Sequence, residues 1–471
     1  MEECPDMISG LPSEIKLLIV SFVPLKEAVR TSILSTKWRS IWAPLQVILQ
    51  LDSAQVTSHE ASEKIKEAMG VLLRSHDTPQ PLKLHISSSK MDIESSEVMD
   101  EVFIMVVKRV DKELHLDFSK GKQTMRDFNL ALDSSCLNSG ENIHSMQRTD
   151  FSSLKSLHLR SIAHLAENFV STLFSSCRFL ESLTLEKCSG LQDIRIKASD
   201  CLRSFVMVDC TNVISISLSA SNLKSFWYRG VLSNFQLKNT PHLVDMILNL
   251  KDGSGQNEFD VEDALSFLDC VKDIEILTIS GWLLEWLCTA GVIFGLLEFQ
   301  FNKLKELCCI CTVMDRGMRD SLACFLNATP FLEKLFVNID ENCSSPMPCP
   351  YFQQYWHEPH LCMNYATVKC NASQLKHLST FKMAGFTSEE DQLLLMDLLL
   401  HKALLLETVT VTSPENRSWS VAKIPQCHLN RFQRFQPESM VASLPNKDYS
   451  FVLTEEKNSD KSPKSGYSLL F

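Results

Sequence analysis

The sequence predicts an α/β protein: a short helical module in front, then a repetitive solenoid whose strands build a parallel sheet, closed by a last strand–helix–strand step. Three observations predict it. The spacing apolar-x-x-apolar-x-apolar recurs thirteen times between Leu154 and Val411. On either side of its densest part, strand-like runs alternate with helix-like ones. Residues 6–45 instead carry helical periodicity, with apolar residues on more than one face of the first helix.

The N-terminal module opens at Leu11-Pro12, where a proline's missing N–H costs a helix little. Ile15, Leu18, Ile19 and Phe22 then fall on one helical face, Leu17 and Val20 point the other way, and Val23-Pro24 ends the helix. Leu25, Ala28, Val29, Ser32 and Ile33 form a second series, and Ser35 can cap a third helix carrying Trp38, Ile41, Trp42 and Leu45. Forty residues are too few for a self-sufficient core. The second apolar face either packs inside the chain or waits for a partner, and periodicity does not separate the two.

The run Asp6-Met7-Ile8-Ser9-Gly10-Leu11-Pro12, then Ala28-Val29-Arg30-Thr31-Ser32-Ile33-Leu34-Ser35-Thr36-Lys37-Trp38-Arg39, then Trp42, resembles an F-box of the plant type, with Thr36 where a basic residue is usual. The resemblance implies docking onto a Skp-type adaptor and through it onto a cullin ubiquitin ligase. By position in the match, the adaptor-binding residues are expected to be Leu11, Pro12, Ile15, Ile19, Leu25, Val29, Leu34 and Trp38. Trp42 and Leu45 are expected to join the module to the repeats.

Strands are expected at residues 46–52, 82–86 and 113–118, and helices at 61–74 and 97–109. Residues 119–150 are polar without clear periodicity and read as a loop with one weak helical or strand segment. The thirteen-fold motif then begins: Leu154/Leu157/Leu159, Leu180/Leu183/Leu185, Leu191/Ile194/Ile196 and so on to Leu406/Val409/Val411. Any buried strand could carry one copy; thirteen are the pattern of leucine-rich repeats, whose strands line a horseshoe with one continuous parallel sheet on the concave side. From 180 to 243 the motif returns every nine to eleven residues, about half a repeat. That predicts two strands per coil there. Wider spacing elsewhere, with helices at 167–176 and 317–326, predicts helix-backed coils towards both ends. A mixed α/β fold without repeats is the alternative.

The repeat breaks at 338–369, a Ser/Pro/Cys- and His-rich insertion read as a surface loop. Its Cys343, Cys349, His357, His360 and Cys362 lack the tight Cys-x-x-Cys pair of a zinc site, so no metal is expected. Order returns at 374 with a strand at 378–383, a turn at Gly385, a helix at 388–401 and a strand at 408–412. Lys376-His377-Leu378 through Gly385-Phe386, the helix, and Leu406-Glu407-Thr408-Val409 resemble the FBD domain of plant F-box proteins. The domains expected are therefore an F-box at 6–45, a solenoid at 46–370, an FBD β–α–β unit at 371–440 acting as a C-terminal cap, and a polar, mixed-charge tail at 455–471 expected to be disordered.

A formal charge of −11 over 471 residues argues against nucleic acid as partner. No apolar run is long enough to span a membrane. The acidic start Met1-Glu2-Glu3 is no secretory signal, so the 17 cysteines are expected to be reduced thiols of a cytoplasmic or nuclear protein. There is no Gly-x-Gly-x-x-Gly after a strand, no P-loop and no Gly-x-Ser-x-Gly. Cys308, Cys309 and Cys311 lie on a repeat strand and read as packing. No catalytic residue and no cofactor is expected. The resemblance implies a substrate receptor of an SCF-type ubiquitin ligase, with an unknown target held by the repeats. The alternatives are an F-box interaction protein with no degradation role and a small-molecule-dependent receptor; the latter would need a polar pocket beside the concave face, near which Trp227 falls by alternation.

Overall fold

The computed structural model describes residues 11–12, 15–16, 19, 38, 47–51, 83–88, 113–117, 119, 154–162, 165–197, 200–254, 261–340, 375–435 and 439–455. The helices expected at 61–74 and 97–109, the 338–369 insertion from residue 341 on, and the tail past 455 lie outside them. The chain divides into two compact units, 1–243 and 244–471.

In the first unit, β1 (Val47–Leu51), β2 (Lys83–Ser88), β3 (Glu113–Asp117), β4 (Ser156–Arg160), β5 (Ser182–Glu186), β7 (Ser204–Val208) and β9 (Ser225–Leu232) lie side by side in that order, all parallel. The intervening strands β6 (Asp193–Lys197), β8 (Ser215–Ser219) and β10 (Asn234–Lys238) form a second, three-stranded parallel sheet. Two strands per coil are thus found where the spacing halves. Helix α1 (Phe169–Ser176) replaces the back strand between β4 and β5 and packs beside β6.

Register turns the sequence motif into a core. Leu157, Leu183, Phe205 and Phe226 stand in one row, and Leu159, Leu185, Met207 and Tyr228 in the next, none more than 2% exposed. The back sheet answers with Ile194, Ile216 and Phe235, then Ile196, Leu218 and Leu237, all buried. Phe205 and Phe226 stack at 5.7 Å, and Tyr228 meets Phe235 edge-on at 5.0 Å. A single-residue slip would turn each row to the other face, so the pattern enforces the register.

Three coils of the first unit leave their strands through a left-handed residue. Ser161, Lys187 and Asp209 have φ of 54°, 52° and 53°, and their N–H groups donate to the carbonyls of Glu186, Val208 and Arg229 at 2.7–2.8 Å. The bond to the next coil holds a conformation that costs an L-residue about 1 kcal/mol.

In the second unit, β11 (Asp245–Ser254), β12 (Ile276–Ser280), β13 (Glu306–Cys311), β14 (Lys334–Ile339), β15 (Thr380–Ala384) and β16 (Thr408–Thr412) are parallel neighbours. Here helices back the coils: α2 (Val261–Cys270), α3 (Gly281–Thr289), α4 (Arg316–Phe325) and α5 (Glu390–Lys402) each follow a strand. The three apolar residues of each of the thirteen motifs lie on or just before a strand. Cys308, Cys309 and Cys311 are buried, as a packing role requires.

The end of the chain corrects two expectations. The sheet is not parallel throughout: β17 (Ser418–Pro425), β19 (Tyr449–Glu455) and β18 (Met440–Ser443) join β16 in that order, all antiparallel. The final unit is likewise more than β–α–β. Past β16 it continues through β17, helix α6 (Gln426–Phe435), β18 and β19 to Glu455. A last parallel strand would leave its N–H and C=O groups open to other chains. Antiparallel return strands pair them and finish on a four-residue edge.

Candidate docking surfaces

The N-terminal helix begins where proline placed it. Lys16 N–H donates to the Pro12 carbonyl at 3.1 Å, closing the first turn. Ile15 and Ile19, one turn apart, are 43% and 44% exposed, while Lys16 between them is buried. Pro12 is exposed and Leu11 half-buried. So four of the expected adaptor residues stand together at the start of this helix, and two present β-branched apolar side chains to solvent from one face. Trp38 differs: at 3% exposed it is packed within the chain. Leu25, Val29 and Leu34 lie outside the described residues, as do Trp42 and Leu45.

The second surface is the open face of the first unit's sheet. Between the buried row residues, every other side chain points away from the core. The register aligns His115, His158, Thr184, Val206 and Trp227 in one row, and Asp117, Arg160, Glu186, Val208 and Arg229 in the next. At β3–β5 the face is ionic. Arg160 Nε lies 3.2 Å from Glu186 Oε1, its Nη1 3.8 Å from Asp117 Oδ2, and His158 Nε2 3.6 Å from Glu186 Oε2. His115 and His158 meet edge-on at 5.2 Å. Burial holds the His158 pKa below its ordinary value despite Glu186 beside it. At β7–β9 the face becomes apolar, with Val206, Val208 and Trp227.

Alternation found Trp227 in the sequence. It missed the ionic rows, because a charged residue between two apolar ones looks like any solvated strand position until register brings three such residues together.

Among the described residues, no group of three or more His, Cys, Asp or Glu side chains could hold a metal ion, and no helix is long and apolar enough to cross a membrane. A cavity of about 520 Å³ lies at the start of α1, lined by Glu167, Asn168, Asp193 and Arg195 among others. It adjoins the back sheet and not the open face.

Comparison with known proteins decides what these surfaces belong to. Residues 8–47 match the F-box domain, and residues 73–436 match the LRR domain of the At1g61320/AtMIF1 type, well over half of the chain. The chain belongs to the F-box/FBD/LRR-repeat family. Three relatives from Arabidopsis thaliana match along nearly their whole length. The FBD-associated F-box protein At5g60610 is 23% identical over 86% of this chain and 100% of its own. The putative FBD-associated F-box protein At1g61330 is 26% identical over 87% and 92%. The F-box/FBD/LRR-repeat protein At1g13570 is 26% identical over 94% and 100%.

Family membership explains one more contact. Leucine-rich repeats place Asn or Cys three residues after the last apolar residue of the strand motif. In this F-box/FBD/LRR-repeat protein Cys188 and Cys210 stand there, each Sγ 3.5 Å from a carbonyl of the preceding coil, that of Leu159 and that of Leu185. Both thiols are buried, and they also donate hydrogen bonds that tie coil to coil.

Proposed function

We propose that this chain is the substrate-recognition subunit of an SCF-type ubiquitin ligase. Its F-box binds a Skp-type adaptor, and through it a cullin, while the open face of its repeats holds a target protein. The observation that carries the reading is the pair Ile15 and Ile19, both exposed on one helical face inside the matched F-box segment. Apolar side chains kept in water beside a proline-led helix start are what a helical adaptor can cover, at about 25 cal/mol for each Å² removed from water. Leu11 and Pro12 set the chain's entry into that helix, and Trp38 is buried within the chain. By their position in the F-box match, Leu25, Val29 and Leu34 are the other residues proposed to bind the adaptor.

The mechanism is proximity. In this reading the chain is a receptor, and the bond-forming chemistry belongs to its partner subunits. Holding a target lysine near a conjugating enzyme on the same scaffold raises its effective concentration. The open face suits a protein target: an ionic patch at β3–β5 gives orientation, and the apolar patch with Val206 and Trp227 gives area. We place the complex in the cytoplasm or nucleus.

The test is purification of the tagged full chain from plant cells under proteasome inhibition, beside an Ile15→Asp/Ile19→Asp variant. The reading expects cullin and ubiquitinated proteins with the wild type and neither with the variant. Adaptor and cullin without any ubiquitinated partner would favour an interaction protein with no degradation role. Absence of cullin from the wild type would refute the proposal.

A further inference from the structure

One end of the second unit's sheet carries a surface that neither the F-box nor the open face uses. Strand partners Lys334, Thr380 and Thr408 are aligned. Three residues before each stand Phe331, His377 and Leu405, which therefore occupy the same step in three adjacent coils. Phe331 and His377 are in ring contact at 5.2 Å. Phe331 is 48% exposed, Leu405 61% and its neighbour Leu404 69%. This is an apolar ridge in water, where single exposed apolar side chains would be ordinary and a row is not.

Strand β17 runs antiparallel to β16, so its far end and α6 return to this same end of the sheet. Helix α6 turns Leu429 and Phe432, both half-buried, towards β17 and β19. Its outer side shows His428, Arg431 and Arg434, spaced three apart and all exposed. None of the three has an ion pair or side-chain hydrogen bond among the described residues. A basic helix face with no counter-charge stands out on a chain of net charge −11.

We infer that this end of the sheet docks a segment of a partner protein in which acidic and apolar residues alternate. The apolar residues lie on the ridge of Phe331, Leu404 and Leu405, and the carboxylates face Arg431 and Arg434. The orientation follows from charge: Glu333 and Glu407, two residues beyond Phe331 and Leu405, repel carboxylates and leave α6 as their place. Long polyanions such as nucleic acid are disfavoured by the net charge of −11.

The test is fluorescence anisotropy of the full chain with a short labelled peptide of alternating Glu and Leu. Comparison probes are a Glu–Ser peptide, a Lys–Leu peptide and a labelled single-stranded oligonucleotide. The Glu–Leu peptide should bind, and Arg431→Glu/Arg434→Glu and Leu404→Ser/Leu405→Ser should each weaken it about tenfold or more, about 1.4 kcal/mol. The Lys–Leu peptide should not bind. Melting curves of both variants should match the wild type; if charge reversal shifts them, Arg431→Gln/Arg434→Gln replaces it. No binding of the Glu–Leu peptide, binding unchanged in folded variants, or equally tight binding of the Glu–Ser peptide or the oligonucleotide would overturn the inference.

Discussion

Tyr449 Oη donates a hydrogen bond of 2.5 Å to Asp397 Oδ1, and this contact ties helix α5 to the antiparallel strands that end the sheet. Lys423 and Lys447 complete the site, at 3.0 and 3.2 Å from the same carboxylate, and the Lys423 ammonium sits 3.6 Å above the Tyr449 ring. Asp397 is 2% exposed, and its three donors come from β17, β19 and the turn between β18 and β19. One carboxylate thus fastens the cap to the last helix-backed coil.

Burial by itself would raise the Asp397 pKa, but the bonds from Tyr449, Lys423 and Lys447 outweigh it and leave the pKa below 3.8. A carboxyl whose folded pKa lies below its unfolded one stabilises the fold above the unfolded value. That stability is lost as pH falls through the folded value. Asp397→Asn should therefore cost about 2 kcal/mol at pH 7, the scale of hydrogen bonds to a charged group. The cost should shrink below pH 4. Urea melts at the two pH values read this directly.

Glu285 on α3 has the opposite sign. Burial, and then the Asp315 charge, push its pKa from 4.5 up to about 7. Gly317 lies so close that any Cβ there would collide with the Glu285 carboxylate. The folded chain keeps a proton that the unfolded chain releases, so stability falls as pH rises from 4.5 to 7. Glu285→Gln should melt like the wild type near pH 4.5 and be more stable at pH 8, by up to about 3 kcal/mol. Equal stability of the two proteins at pH 8 would show that the carboxyl is ionised without cost.

The thiols divide by exposure. Burial pushes Cys177 and Cys308 to about 12, whereas Cys270 and Cys427 are exposed. Iodoacetamide at pH 8, followed by peptide mass mapping, should modify Cys270 and Cys427 in the native protein. Cys177 and Cys308 should react only on unfolding. Early labelling of Cys308 would mean that β13 is less covered than its 6% exposure implies.

Much of this fold was legible because repeats multiply a weak signal. One Leu183/Leu185 pair says little, but thirteen at fixed spacing identify strands, and the halved spacing at 180–243 located the back sheet. Helix α3 was not legible: Gly281–Thr289 is apolar on nearly every side and six of its nine residues are buried, so no face stands out. Helix α2 did carry a signal, with Ala264, Phe267 and Leu268 at helical spacing on the buried side. The antiparallel cap was missed because β17 is half exposed along its length and ends in Pro425, so alternation is weak. On the docking side, Ile15 and Ile19 were placed on one face by spacing alone, but periodicity could not say that this face is the exposed one. Trp38 shows the limit from the other direction, since an aromatic in a binding motif can equally be packing, and here it is buried.

The central claim is that the N-terminal helix docks an adaptor, and one affinity measurement tests it most directly. Purified full chain is titrated with a Skp-type adaptor by calorimetry, as wild type and as Ile15→Asp/Ile19→Asp, with thermal melts of both. An apolar anchor at an interface is worth about 2 kcal/mol or more, about thirtyfold in affinity for each. Wild type should bind, and the variant should lose at least that factor while its melting curve stays near wild type, because both side chains are exposed and the repeats hold most of the core. Unchanged adaptor affinity in the folded variant, or no binding by the folded wild type, would contradict the claim.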